Sequence, residues 1–264
     1  MGLLAGKVAV VTGSGRGIGR AVALAFAREG AAVAITARSN QELESVSEEV
    51  HKLGGTCVAL RADVTRQEDV ETLFATVQRE LGQVDILVNN AGALGPIDHF
   101  EDTDIDAWQE IFDVNVIGVA RCIRAVLGTM VARRSGKIIN VGSDAGWSDA
   151  WAASNFEHAA YAASKAAVIR LTEVLAAQVR SYGINVNCVG AWADTAMSVE
   201  ARQRLAQLRG EKPMSALEEI PMSKRVDPEE NAPLFVFLAS SLSDHVTGQY
   251  IEANSLPDYL RNGE

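Results

Sequence analysis

Thr12-Gly13-Ser14-Gly15-Arg16-Gly17-Ile18-Gly19 lies between an apolar run, Val8-Ala9-Val10-Val11, and a stretch in which Ile18, Val22, Ala25 and Phe26 recur at helical spacing as far as Gly30. Strand, glycine-rich turn and helix thus follow one another. Glycines at such a turn let the backbone bend sharply, approach a pyrophosphate and pack the helix against the sheet. The exposed amides and the helix dipole then favour an anion. A tight strand-to-helix connection alone would also explain the glycines, but this context favours a nucleotide. No Gly-Lys-Ser or Gly-Lys-Thr follows, which argues against a Walker-type phosphate loop.

Beyond this unit the alternation continues. Strands are expected at Val33 to Thr36, Val58 to Leu60 and Ile86 to Val88, with helices at Gln41 to Leu53 and Gln67 to Leu81. After the Gly95-Pro96 loop, one long helix is expected from about Ile105 to Val131, then a strand from Lys137 to Val141. A helix from Tyr161 to Ser181 and a strand from Ile184 to Val189 follow. Residues Ala193 to Val226 have short polar helical stretches with Gly210, Pro213 and Pro221, the composition of a substrate lid. A helix from Pro228 to Ala239 and a strand from Gln249 to Glu252 close the pattern. The expectation is an α/β protein with a doubly wound parallel sheet between two helical layers. No repeat or linker marks a second domain, so residues 1–264 read as one domain with a lid at about 193–226.

Composition narrows the partners. With 264 residues, 48% hydrophobic and 22% charged, the chain can bury one large core. Its 24 basic and 34 acidic residues leave a net charge of −10, which repels nucleic acid and anionic lipid. Cys57, Cys122 and Cys188 are scattered, which suggests neither disulfides nor a metal site. No apolar run reads as long enough to span a bilayer, and Met1 to Gly6 lacks the features of a secretion signal, so a cytoplasmic protein is expected.

The cofactor and the chemistry are read from single residues. An acid about 20 residues past the glycine turn would bind ribose hydroxyls in an NAD-selective site. Here that place holds Ala37 followed by Arg38, and Arg16 sits within the turn. Two arginines suit a 2′-phosphate, so NADP(H) is expected, with NAD(H) as the alternative. Tyr161 and Lys165 share one helical face, where a nearby cation would lower a phenol from its usual pKa of about 10 and make it an acid/base. Ser143 follows the strand Lys137 to Val141, at the carboxyl edge where such sheets bind ligands.

Together these residues resemble the short-chain dehydrogenase/reductase family over nearly the whole chain. The glycine turn Thr12 to Gly19, Asn89-Asn90-Ala91-Gly92 and the pair Tyr161 and Lys165 match its motifs, and Ser143 and Asn115 match its remaining catalytic positions. The resemblance implies a Rossmann fold and hydride transfer between nicotinamide and a ketone or secondary alcohol, without a metal. It implies that Tyr161 exchanges the proton, Lys165 holds the ribose and lowers the Tyr161 pKa, Ser143 binds the substrate oxygen and Asn115 supports a proton relay. Gly13, Ser14, Gly15, Arg16, Gly17, Ile18, Gly19, Arg38, Asp63, Val64, Asn89, Ala91, Gly92, Tyr161, Lys165 and Thr195 would bind the cofactor.

The chain departs from the family at the pocket. The segment Asp144 to Ala160 is longer than usual, Pro-Gly is missing at Gly190-Ala191-Trp192, and Ile251-Glu252-Ala253-Asn254-Ser255 replaces the common Asp-Gly-Gly. Trp147, Trp151, Trp192 and Met197, with Ser143, are the expected substrate contacts, and Phe156 is a further aromatic candidate. His158 reads as a solvated or capping histidine, or one that tunes Tyr161. Arg202, Arg204, Arg209, Lys212, Lys224 and Arg225 read as a solvated face, so a neutral, partly apolar substrate is expected, with Met197, Val199 and Met214 near it. An epimerase or dehydratase, or a non-catalytic NADP(H)-binding regulator, are the competing readings. By analogy the helices Ile105 to Val131 and Tyr161 to Ser181 would form a homotetramer, or a homodimer, with Ala162, Ala163, Ala166, Ala167, Ala176 and Ala177 permitting close approach, or equally packing against the sheet.

Overall fold

A computed structural model of the protein describes residues 2–211 and 226–253. Expectations placed on Lys212, Pro213, Met214, Pro221, Lys224, Arg225, Asn254 and Ser255 lie outside the described residues. The strands are β1 (Val8–Thr12), β2 (Ala32–Ala37), β3 (Cys57–Arg61), β4 (Ile86–Asn89), β5 (Gly136–Val141), β6 (Ile184–Gly190) and β7 (Tyr250–Glu252). They pair in parallel in the order β3-β2-β1-β4-β5-β6-β7. The interior strand β1 is buried at all five positions, as a strand covered on both faces must be.

Helices α1 (Gly17–Arg28), α2 (Asn40–Lys52) and α3 (Gln67–Glu80) connect the first four strands. Between β4 and β5 run α4 (Ile105–Phe112), a π-helical turn (Asp113–Ile117) and α5 (Gly118–Arg133). Next come α6 (Asp149–Ser154), α7 (Ala159–Val179), α8 (Ala196–Arg209) and α9 (Ala232–Ala239). Two apolar cores lie on opposite faces of the sheet. One joins α1, α2 and α9 through Phe26, Val46 and Phe235; the other joins α3, α5 and α7 through Leu73, Met130 and Val179.

Three expectations need correction. The helix expected from Ile105 to Val131 is interrupted by the π turn, which alters the facing of Asn115. In the described part of the expected lid, residues 193–211, one 14-residue helix, α8, replaces the short stretches. Among the described residues, the run Ile105–Arg133 is long and apolar enough to cross a membrane by length and composition, contrary to expectation. Its apolar row, including Ile111, Val119, Ile123, Val126 and Met130, is buried in this fold.

Candidate active site

The carboxyl ends of the strands open into a cleft of about 1380 Å³. At one end lies the glycine turn. Gly13 has φ +63°, and a Cβ there would stand 2.8 Å from Ala91 Cα. At Gly19 a Cβ would stand 2.4 Å from both Asn90 Nδ2 and the Gly13 carbonyl oxygen, so neither position tolerates a side chain. The neighbouring strand end is tied to this turn. Backbone N–H groups of Asn90 and Ala91 each donate to the Thr12 hydroxyl at 3.0 Å, and Asn90 Nδ2 donates to the Thr12 and Gly13 carbonyls at 2.9 and 3.0 Å.

Gly13, Gly15, Arg16, Gly17, Ile18, Arg38, Asp63, Val64, Ala91 and Gly92 line the cleft. Three expected cofactor residues do not. Ser14 is buried, and its hydroxyl donates to the Val11 carbonyl at 2.9 Å and accepts from Thr36 N–H at 2.9 Å. Gly19 packs inside the turn, and Asn89 donates to Asn140 Oδ1 at 2.8 Å within the sheet. Their work is to shape the turn and join the strands. Arg16 and Arg38 both reach the cleft, but Arg16 Nη1 stands 3.5 Å from Glu42. Burial raises the Asp63 carboxyl, yet hydrogen bonds from Thr65 and the charges of Arg38 and Arg66 hold it below the usual carboxylate range.

At the other end stand Ser143, Tyr161 and Lys165. Lys165 is buried, donates to the Val141 carbonyl at 2.8 Å and lies 5.7 Å from the Tyr161 ring centre. Burial pushes its ammonium down to about 8. Burial also pushes the Tyr161 phenol up to about 12, with the Ser143 hydroxyl opposing and the Asp144 carboxylate reinforcing the rise. Lys165 was expected to lower the phenol. In this arrangement desolvation outweighs any such pull. Ser143 itself donates to Asp144 Oδ1 at 3.1 Å and accepts from Ala145 N–H at 3.2 Å.

Asn115 lies outside the cleft wall. Its side chain accepts from Ala93 N–H at 2.8 Å and donates to the Ala93 carbonyl and the Ser164 hydroxyl, both at 3.0 Å. The π turn thereby fastens the loop after β4 to α7, one turn from Tyr161.

Of the expected substrate contacts, Trp151, Trp192 and Met197 line the cleft. Trp147 does not: it is 67% exposed and stacks on Tyr250 at 6.2 Å. Phe156 is exposed beside His99. The segment after β5 reaches Trp151, Asn155 and His158 into the cleft, and Trp151 meets the His158 ring edge-on at 5.6 Å. His158 is buried and not solvated, and this burial lowers its pKa.

The arginines of α8 are exposed or half-buried, as expected of a solvated face, but each also has a partner in the fold. Arg202 bonds Asp194 at 2.7 Å, Arg204 donates to the Gly95 carbonyl at 3.1 Å, and Arg209 grips both oxygens of Glu157 at 2.7 and 2.8 Å. The Arg209 hydrogen bonds hold the Glu157 carboxyl below its usual range. Asp144, Asp194, Glu157 and Leu205 were missed in the sequence. Asp144 adjoins Ser143 and could have been found by that adjacency; the others gave no local signal.

A parallel sheet with a glycine turn and a Ser, Tyr and Lys group at its carboxyl edge defines a nucleotide-dependent oxidoreductase. The family model described as short chain dehydrogenase matches residues 7–206, and the chain belongs to that family of oxidoreductases acting on the CH–OH/C=O couple. It is 36% identical to a 3-oxoacyl-[acyl-carrier-protein] reductase of Vibrio harveyi over 95% of this chain and 97% of the relative. It is 33% identical to a 3beta-hydroxysteroid dehydrogenase of Mediterraneibacter gnavus, over 96% and 95%. Among solved structures, actinorhodin polyketide ketoreductase with NADPH matches with a TM-score of 0.85 at 30% identity, over 93% of this chain and 95% of that one. NAD+-bound xylitol dehydrogenase matches with a TM-score of 0.84 at 30% identity, over 94% and 98%.

Proposed function

We propose that this protein is a cytoplasmic NADP(H)-dependent oxidoreductase that interconverts a neutral, partly apolar ketone and its secondary alcohol. The observation that carries this reading is one continuous cleft with Arg16 and Arg38 at one end and Ser143, Tyr161 and Lys165 at the other. A turn without side chains at Gly13 and Gly19 fits a pyrophosphate, and two arginines fit a 2′-phosphate. A reductase relative and a ketoreductase described with NADPH support the same reading, while a dehydrogenase described with NAD+ keeps NAD(H) as the alternative.

Nicotinamide, when bound, supplies or accepts the hydride. The protein's own groups manage the oxygen and its proton. Ser143 turns its hydroxyl from Asp144 to the substrate oxygen. Tyr161, whose phenol is held protonated by burial, donates the proton during reduction and takes it back during oxidation. Lys165 holds the ribose hydroxyls with the ammonium now bonded to Val141. Asn115 supports the proton relay by holding the Ala93 loop and Ser164. Trp151, Trp192 and Met197 supply apolar surface to the substrate, and Thr195 contacts the cofactor. The exposed face of α7, with Ala166, Val174 and Ala177, suits self-association into a homotetramer.

The test is Tyr161→Phe. NADPH consumption in a ketone screen should fall by at least about a hundredfold, the lower range for loss of general acid/base catalysis. Quenching of tryptophan fluorescence should show NADPH binding within about twofold of wild type. Substantial remaining turnover would overturn the assignment.

A further inference from the structure

The segment between Ser143 and Tyr161 and the helix α8 both supply walls of the cleft: Trp151, Asn155 and His158 from the first, Met197, Ala201 and Leu205 from the second. An ion pair between Arg209 and Glu157 joins the two. Glu157 is 1% exposed, whereas the Arg209 side chain is 32% exposed. Arg209 Nε and Nη2 each bond one Glu157 oxygen, at 2.7 and 2.8 Å, and Nη2 also donates to the Ser154 carbonyl at 3.0 Å. The guanidinium lies 5.8 Å from the Phe156 ring centre. Glu157 is fixed from behind as well, because its backbone carbonyl accepts from Asp98 N–H at 3.1 Å.

A carboxylate taken out of water is stable only with a well-placed partner, and a bidentate guanidinium is the best-matched one. Arg209 comes from the last turn of α8, 52 positions along the chain. If α8 swung away, Glu157 would lose its charge partner while still buried. Midway along α8, Arg202 pairs with Asp194, so the helix is held at its middle and at its C-terminal end, and the Arg209 end is the one that contacts the segment after Ser143.

We propose that Glu157 and Arg209 form a latch that closes α8 over the substrate, making both of them positioning residues that set the width of the substrate end of the cleft. This rests on the reading that the Tyr161 end of the cleft receives the substrate. The latch acts on substrate and not on cofactor, since Arg16 and Arg38 lie at the far end.

Steady-state kinetics on Arg209→Ala, Arg209→Lys, Glu157→Gln and the double variant E157Q/R209A test it, with a small ketone and NADPH. Arg209→Ala and Glu157→Gln should each raise the ketone KM about tenfold or more, because small displacements of a closing element are costly. NADPH affinity, read by fluorescence, should stay within about twofold. The double variant should be no worse than the worse single one, and Arg209→Lys should recover part of the loss. Additive losses, or equal loss of NADPH affinity, would overturn the latch. Hydrogen exchange keeps the test open if a variant does not fold: in the wild type, amides of α8 should be protected, and free exchange there would also overturn it. Because exchange and cofactor binding do not need turnover, a Tyr161→Phe variant that stays active would refute the proposed chemistry and leave the latch to be judged separately.

Discussion

Lys165 brings an ammonium into a buried site, and that burial has a measurable cost. Its pKa falls from the ordinary 10.5 to about 8, so below pH 8 both folded and unfolded chains carry the proton and the full penalty applies. Between pH 8 and 10.5 the unfolded chain binds more protons, so this group's contribution to stability rises with pH and the penalty is gone above that window. Lys165→Met has no such dependence. Urea unfolding should show the wild type gaining on the variant by on the order of 3 kcal/mol as pH is raised through the window. A constant difference between the two would contradict a buried charged lysine. At this scale the sequence made Tyr161, Lys165, Ser143 and Asn115 legible, because their types and order match a family pattern. Trp147 was misplaced because an indole can cover a pocket or Tyr250 with equal hydrophobic gain, and only the path of the loop decides. Glu157 and Arg209 were invisible as a pair, since nothing local marks partners so far apart.

Elements show a different limit. The glycine turn reads clearly as a strand-to-helix connection, but its attachment to the end of β4 comes from the Asn90 side chain and from the Thr12 hydroxyl, which accepts two backbone N–H groups. Thr12→Val keeps the shape and orphans both donors. Thermal unfolding should show a loss of about 2 kcal/mol or more, the penalty for leaving buried donors unpaired, with weaker NADPH binding alongside. Unchanged stability would mean that the Asn90 side chain and the turn's own backbone suffice to hold it. The α8 helix was read as short polar pieces because its arginines blur the apolar stripe. Three of them are consumed by Asp194, Gly95 and Glu157, partners supplied by other elements. The π turn at Asp113–Ile117 is hidden for a related reason: an inserted residue shifts the apolar row by one position, and in a stretch as apolar as Val114, Val116, Ile117 and Val119 such a shift does not stand out.

For the whole molecule, the parallel sheet and its helical layers were legible because every connection carries a change of period, from a buried strand to an amphipathic helix. Its cofactor preference should appear as a global property. A ligand present at about a hundred times its Kd adds about 2.7 kcal/mol to folding, which raises Tm by several degrees. At equal concentration NADPH should raise the wild-type Tm more than NADH, and Arg38→Ala should bring the two shifts together. A larger shift with NADH would refute the use of Arg38. The order of the sheet has a last consequence, for synthesis. β2 pairs with β1, β3 with β2, β4 with β1, and each later strand with the one before it. Since translation releases the chain N-terminus first, every strand leaving the ribosome finds its neighbour already made. One edge alone has to wait: the second side of β1 stays open while β2 and β3 are made, and the arrival of β4 closes it beside the glycine turn.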